Sequence, residues 1–97
     1  MTFEEYQKAA LATAKYDHLH YDLQLSYLAL QNASEAGETA AEIAKPLRKQ
    51  QPYNDENIKA ELGDQLWYIV NIAALRGIPL QDILKYNIDK LQKRHGS

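Results

Sequence analysis

The segment DENIKAELGDQLWYIVNIAALRG, residues 55–77, decides the fold class. Its apolar residues recur every three or four positions, which is the period of an α-helix with one buried face. The residues of this stripe, all expected to be buried, are Ile58, Leu62, Leu66, Ile69 and Ala73. Asn54 or Asp55 can cap the first turn, and Gly77 stands where helices commonly end in the left-handed conformation. The segment therefore predicts one long helix that ends at Arg76.

The rest of the sequence predicts three further helices, over residues 2–15, 21–49 and 80–94. Thr2 followed by Glu5 is a capping-box pattern, and Pro46 is expected to kink or terminate the second helix. The last helix is expected to bury its apolar residues, which are Ile83, Leu84, Ile88 and Leu91. Leu and Ala supply thirteen residues each against a single Val, which favours helices over a sheet. The prediction is an all-α fold of four helices.

Length and composition narrow the possible classes of protein. Ninety-seven residues are enough for one small domain, expected over residues 1–97. The absence of cysteine excludes disulfides and thiolate zinc sites. A net charge of −2 offers no basic surface for nucleic acid or anionic membranes. Neither a signal-peptide pattern nor an apolar run of membrane-spanning length is present, so we expect a cytoplasmic protein.

The predicted third helix carries more apolar surface than one neighbouring helix can cover. Besides its main stripe, Val70 and Ala74 flank Trp67 on a second face, together with Ala60 and Gly63. We therefore expect a second subunit to complete the core, with a tightly folded monomer as the alternative.

Carboxylates recur at helical spacing on two of the predicted helices. Glu35 and Glu38, followed by Glu42, share one side of the second helix, and Glu61 and Asp64 share one side of the third. If the two helices pair as an antiparallel hairpin, these groups converge near one end. Their hard oxygen atoms suit Mg²⁺ or Mn²⁺ rather than zinc. A solvated acidic face without any ion is the alternative.

The carboxylate pattern resembles the signature of the MazG-like, all-α nucleoside triphosphate pyrophosphohydrolases. Glu35-xx-Glu38 is followed, after a gap containing a loop, by Glu61-xx-Asp64. Four stretches resemble blocks of the family in the family's order: FEEYQ at residues 3–7, SEAGE at 34–38, ELGDQLWY at 61–68 and YNIDKLQKR at 86–94. The resemblance covers nearly the whole chain.

The resemblance implies hydrolysis of a nucleoside triphosphate between its α and β phosphates, giving the monophosphate and pyrophosphate. It implies Mg²⁺ held by four carboxylates, which are Glu35, Glu38, Glu61 and Asp64. Glu38 is our candidate for accepting the proton of the attacking water, and Lys90 for offsetting charge on the pyrophosphate. Asn87 and Arg94 are expected to approach the phosphates beside Lys90, and Tyr68 is the better of two aromatic candidates, with Trp67, for stacking on the base.

The resemblance also implies a homodimer or a homotetramer built from two dimers, with helices of two subunits around each site. The expected role is house-cleaning, the removal of surplus or noncanonical nucleotides. Two alternatives stay open: a phosphoribosyl-ATP pyrophosphohydrolase, and a helical dimerisation module that is catalytically silent.

Overall fold

The computed structural model describes residues 1–96, and this part of the chain is helical without strands. Its helices are α1 (Phe3–Ala12), α2 (Tyr21–Ile43), α3 (Lys45–Lys49), α4 (Asp55–Leu75) and α5 (Leu80–Arg94). The all-α prediction is confirmed. Ser97, the last residue of the predicted domain, lies outside the described residues. None of the helices within residues 1–96 is long and apolar enough to cross a membrane.

Two of the predicted helix boundaries were wrong. The predicted second helix is two helices, because α2 ends at Ile43 and the short α3 begins at Lys45 with Pro46 in its first turn. The described residues therefore form five helices rather than four. The first helix ends at Ala12 instead of residue 15, where the hydroxyl of Thr13 donates to the carbonyl oxygen of Ala10 at 2.8 Å.

The capping residues act as their chemistry predicts. Thr2 Oγ1 accepts from the backbone N–H of Glu5 at 3.0 Å, and Glu5 Oε1 accepts from the N–H of Thr2 at 2.8 Å. Asn54 Oδ1 accepts from the N–H of Asn57 at 3.1 Å at the start of α4. Gly77 has a φ of 69° after the end of α4, a conformation that glycine adopts without strain. Local sequence therefore sets where α1 and α4 begin and where α4 ends.

Helices α2 and α4 form an antiparallel hairpin, the most extensive helix pair within the described residues. The start of α2 lies beside the end of α4, where Arg76 Nη1 donates to the hydroxyl of Tyr21 at 3.0 Å. Farther along, Thr39 Oγ1 donates to Gln65 Oε1 at 2.6 Å. Leu28 of α2 is fully buried. The hairpin is therefore held by apolar packing and by polar contacts toward both ends.

A buried polar network joins the segment after α1 to α4. The hydroxyl of Tyr16 donates to Asn71 Oδ1 at 2.6 Å, and Asn71 Nδ2 donates to the carbonyl oxygen of Trp67 at 3.0 Å. Trp67 Nε1 in turn donates to Thr13 Oγ1 at 2.7 Å. The side chain of Asn71 is fully buried, so these bonds satisfy polar atoms that water cannot reach.

The apolar core is small. Ala10, Val70 and Leu80 bring α1, α4 and α5 together, and Tyr6 and Trp67 pack against them. The chain has a radius of gyration of 15.9 Å, whereas a compact domain of this length has about 12.5 Å. Its accessible surface is 7349 Å², against about 5,700 Å² for a folded monomer of its mass. The single chain is therefore open rather than compact.

Much of the predicted core is exposed in the single chain. Of the α4 stripe, Leu62, Leu66 and Ile69 are exposed, and of the α5 stripe the exposed residues are Leu84, Ile88 and Leu91. The expectation that α5 buries these residues was wrong for the isolated chain, because α5 makes its main contact with α1 and meets the core through Leu80. The apolar stripes lie on helices as predicted, but the single chain leaves much of their surface exposed.

We predict that Tyr16→Phe destabilises the protein by about 1–3 kcal/mol, because it leaves Asn71 Oδ1 buried without its donor. Chemical denaturation measures the change. The control is Tyr86→Phe, which removes a hydroxyl from a side chain that is 73% exposed and should leave stability nearly unchanged. Equal effects of the two substitutions would contradict the role given to the buried network.

Candidate metal centre

Three carboxylates converge between α2 and α4. Glu35, Glu38 and Glu61 each offer one oxygen atom, and these three atoms lie within 4.8 Å of one another. Glu35 and Glu38 are three residues apart and share one side of α2, while Glu61 comes from the facing side of α4. The antiparallel hairpin therefore produces the convergence that the spacing predicts for these three residues.

The fourth predicted carboxylate lies outside this set. The oxygens of Asp64 do not belong to the cluster that Glu35, Glu38 and Glu61 form. Asp64 follows Glu61 by three residues on the same side of α4, and its negative charge helps to raise the pKa of Glu35. Its role as a metal ligand stays a prediction.

The electrostatics of the cluster favour a proton or a cation. Burial, followed by the charges of Glu38 and Asp64, raises the pKa of Glu35 from 4.5 to about 7. Oε2 of Glu35 and Oε2 of Glu61 are buried and have no hydrogen-bond partner. Buried carboxylate oxygens without a donor are costly, so either a proton or a cation would stabilise the cluster.

The donor set fits a hard divalent cation. All three groups are carboxylates, and neither a histidine nor a thiolate takes part, which favours Mg²⁺ or Mn²⁺ over zinc. The unpartnered oxygens of Glu35 and Glu61 supply ligand atoms that the fold leaves free. Residues Glu35, Glu38 and Glu61 can therefore hold such an ion between the two helices.

An aromatic cleft of about 140 Å³ adjoins the carboxylates. It is lined by Thr13, Lys15, Tyr16, Tyr27, Trp67 and Tyr68. Burial, Tyr27 and the charge of Glu35 raise the pKa of Tyr68, which places this phenol beside the cluster. Trp67 meets the edge of Tyr68 with ring centroids 5.0 Å apart, but it also packs on the core. Trp67 therefore has a structural role, and the contact of Tyr68 with a base stays a prediction.

The predicted phosphate-binding residues are not at the cluster. Asn87, Lys90 and Arg94 are exposed on α5, which packs against α1. Within residues 1–96 no hydrogen bond or ion pair joins them to the three carboxylates. Asn87 and Lys90 instead line a shallow pocket of about 390 Å³ along α5. Their roles stay predictions.

Sequence reasoning missed two polar residues near the cluster. Asn32 precedes Glu35 by three residues on α2, and its Oδ1 is buried with no hydrogen-bond partner. Gln65 accepts from Thr39 across the hairpin. The position of Asn32 one turn before Glu35 could have signalled its place on the α4-facing side of α2.

Comparison with known proteins gives a family. The family model described as MazG nucleotide pyrophosphohydrolase domain matches residues 24–97, which include α2 to α5 almost entirely. The Gene 37 protein of Mycobacterium phage L5 is 35% identical over 74 residues, covering 72% of this chain and 65% of the phage protein. This chain therefore spans slightly less than two thirds of that relative's length. No solved structure was found to match the chain.

We predict that the metal-free protein loses stability as the pH rises from 4.5 to about 7. The folded state binds the proton of Glu35 more tightly than the unfolded state, so the associated stability is present below pH 4.5 and lost above the folded-state pKa. Denaturant unfolding in EDTA at pH 5 and pH 8 measures this loss.

Glu35→Gln is the control, because glutamine carries no titrating proton while the histidines are unchanged. The free energy of unfolding should fall less between the two pH values in the variant than in the wild type. Equal pH dependence of the free energy of unfolding in both proteins would show that folding does not raise the pKa of Glu35.

Proposed function

Because the chain belongs to the MazG nucleotide pyrophosphohydrolase family, we propose that it hydrolyses a nucleoside triphosphate between the α and β phosphates. The products are a nucleoside monophosphate and pyrophosphate, and the role is to clear surplus or noncanonical nucleotides. The observation that carries the proposal is the convergence of Glu35, Glu38 and Glu61, with buried oxygens that lack any donor. Such a cluster is suited to the metal that phosphate chemistry requires.

The three converging carboxylates hold the metal, and Asp64 completes the ligand set. Mg²⁺ bound there, or Mn²⁺ on the same ligands, supplies positive charge that neutralises the triphosphate oxygens. Glu35 and Glu61 contribute their buried oxygens, so they bind without displacing an existing hydrogen bond. These two side chains therefore fix the position at which the phosphates bind.

Glu38 is the proton acceptor in this proposal. It is the exposed member of the cluster, so water reaches its carboxylate without a rearrangement of the hairpin. Glu35 is less suited to this task, because its Oε2 is buried and is assigned to the metal. Tyr68 lies beside these groups at the edge of the aromatic cleft, where it contacts the bound nucleotide.

The positively charged half of the site comes from a second copy of the chain. Lys90, Asn87 and Arg94 are separated from the carboxylates because α5 packs on α1. The chain exposes 7349 Å², which is about 1,700 Å² more than expected for its mass. A standard interface buries about 800 Å² from each partner, so this excess supports a dimer or a dimer of dimers. In such an assembly α5 of one subunit supplies the phosphate-binding residues of its partner's site.

We predict metal-dependent release of pyrophosphate from nucleoside triphosphates, abolished by excess EDTA. Glu61→Gln should lower kcat/KM by roughly a hundredfold or more, because it removes a carboxylate ligand of the metal that neutralises the phosphates. Glu4→Gln, at an exposed position in the first turn of α1, should leave activity unchanged. Release of orthophosphate instead of pyrophosphate would place cleavage at another bond and contradict the proposed reaction.

We also predict that two inactive variants restore activity when mixed. Glu38→Gln and Lys90→Ala each damage a different half of the site. If the halves come from two subunits, a heterodimer of the variants contains one intact site, and an equal mixture should reach about a quarter of wild-type activity. Subunit exchange is verified by mass spectrometry of differently tagged copies. Heterodimers that form without any activity would show that Lys90 does not act across the interface.

A further inference from the structure

Glu42 is the most deeply buried acidic side chain among the described residues, with 9% of its surface exposed. Its Oε1 accepts from Lys45 Nζ at 2.9 Å, but its Oε2 is buried and has no hydrogen-bond partner. A buried carboxylate oxygen without a donor is destabilising. Residues 1–96 therefore leave this acceptor atom without a donor.

Glu42 also lines a pocket at the end of the α2–α4 hairpin where α3 and the following loop connect the two helices. The pocket has a volume of about 490 Å³, and its other walls are Lys45, residues 51–54 and the first turn of α4. Glu42 follows Glu38 by one turn of α2, about 6 Å along the helix axis. On the opposite wall Asn57 precedes Glu61 by one turn of α4. The pocket is thus the continuation of the groove that holds the three converging carboxylates.

The groups around Glu42 restrict the chemistry of the occupant. Lys45 already pairs with Oε1, so a second cation at the same carboxylate is disfavoured. Asp55 and Glu56 stand in the opposite wall and disfavour an anion. A neutral N–H donor satisfies Oε2 without either repulsion. The fitting ligand is uncharged and presents an amino group.

The remaining walls suit a flat heterocycle. Tyr53 offers an aromatic ring that is 65% exposed and free to stack on a base. Gln51 and Asn57 carry side-chain amides, which can donate and accept at the edge of a base, and Asn54 can donate from its Nδ2 while its Oδ1 caps α4. The smaller aromatic cleft beside Tyr68 is less suited to polar recognition, because the hydroxyls of Thr13 and Tyr16 are already bonded.

We propose that the pocket at Glu42 is the subsite for the nucleobase, and that Glu42 Oε2 selects bases that carry an exocyclic amino group. The inference rests on the proposed function, since it assumes that the triphosphate lies on the neighbouring carboxylates. Tyr68 then faces the sugar and phosphate side of the nucleotide. A base with a carbonyl in place of the amino group leaves Oε2 opposed to another acceptor.

The test compares CTP with UTP, which differ at the group that Glu42 would contact. The wild type should show a kcat/KM for CTP that is roughly tenfold or more above that for UTP. Glu42→Gln should reduce or invert this ratio, because Lys45 retains the amide oxygen and the amide NH₂ replaces Oε2 as a donor. The inversion should appear in KM more than in kcat. Glu4→Gln is the matched control and should keep the wild-type ratio.

Several outcomes would overturn the inference. The first is a wild type whose kcat/KM is the same for CTP and UTP. The second is a Glu42→Gln variant whose kcat/KM falls equally for both substrates. The third is a variant that changes its oligomeric state but keeps its preference. If no triphosphate is hydrolysed, the proposed function fails, and the subsite is judged by binding of CMP and UMP in calorimetry. Tighter binding of CMP that Glu42→Gln removes would still support the subsite, and equal binding of both would exclude it.

Discussion

Mutual repulsion among three carboxylates is the constraint on which the rest of the structure depends. Glu35, Glu38 and Glu61 approach one another only because α2 and α4 pack as an antiparallel hairpin. The fully buried Leu28 and the contact between Thr39 and Gln65 hold that hairpin closed against the repulsion. Packing between α2 and α4 therefore offsets the repulsion among the acidic oxygens. A bound cation would relieve that repulsion, and this relief would strengthen its binding. The packing of α2 against α4 and the affinity of the carboxylates for a cation therefore depend on each other.

Helix ends were predictable where the determining chemistry is local. Thr2 and Asn54 cap their helices, and Gly77 adopts the left-handed conformation after α4, since each role needs only neighbouring backbone groups. The end of α1 was predicted three residues too late, and the residues just beyond it, Thr13 and Tyr16, are hydrogen-bonded to Trp67 and Asn71 of α4. The burial of the apolar residues on α4 and α5 was overestimated for a related reason. An apolar stripe indicates that one face of a helix is buried, but it does not indicate whether the same chain or a second chain buries it.

The candidate site likewise has parts that the sequence predicts and parts that it does not. Helical spacing predicts that Glu35, Glu38 and Glu61 meet, because two residues on one helix and one on its antiparallel neighbour need only the hairpin to come together. Spacing does not predict how far the oxygens of Asp64 lie from that cluster, since this depends on a side-chain conformation. Nor does it reveal that Oε2 of Glu42 is buried without a partner, a fact that emerges only once the loop before α4 is in place. The positions on α5 came from resemblance alone, and the chain keeps them apart from the carboxylates.

The central claim is that the three converging carboxylates bind a divalent cation between α2 and α4. The most direct measurement is an anomalous difference map from crystals of the protein grown with Mn²⁺, collected at the manganese absorption edge. We expect a peak in contact with oxygens of Glu35, Glu38 and Glu61 in the wild-type crystals, and no such peak in crystals of Glu35→Gln. A map without a peak at these residues, or with the manganese bound only elsewhere, would contradict the claim.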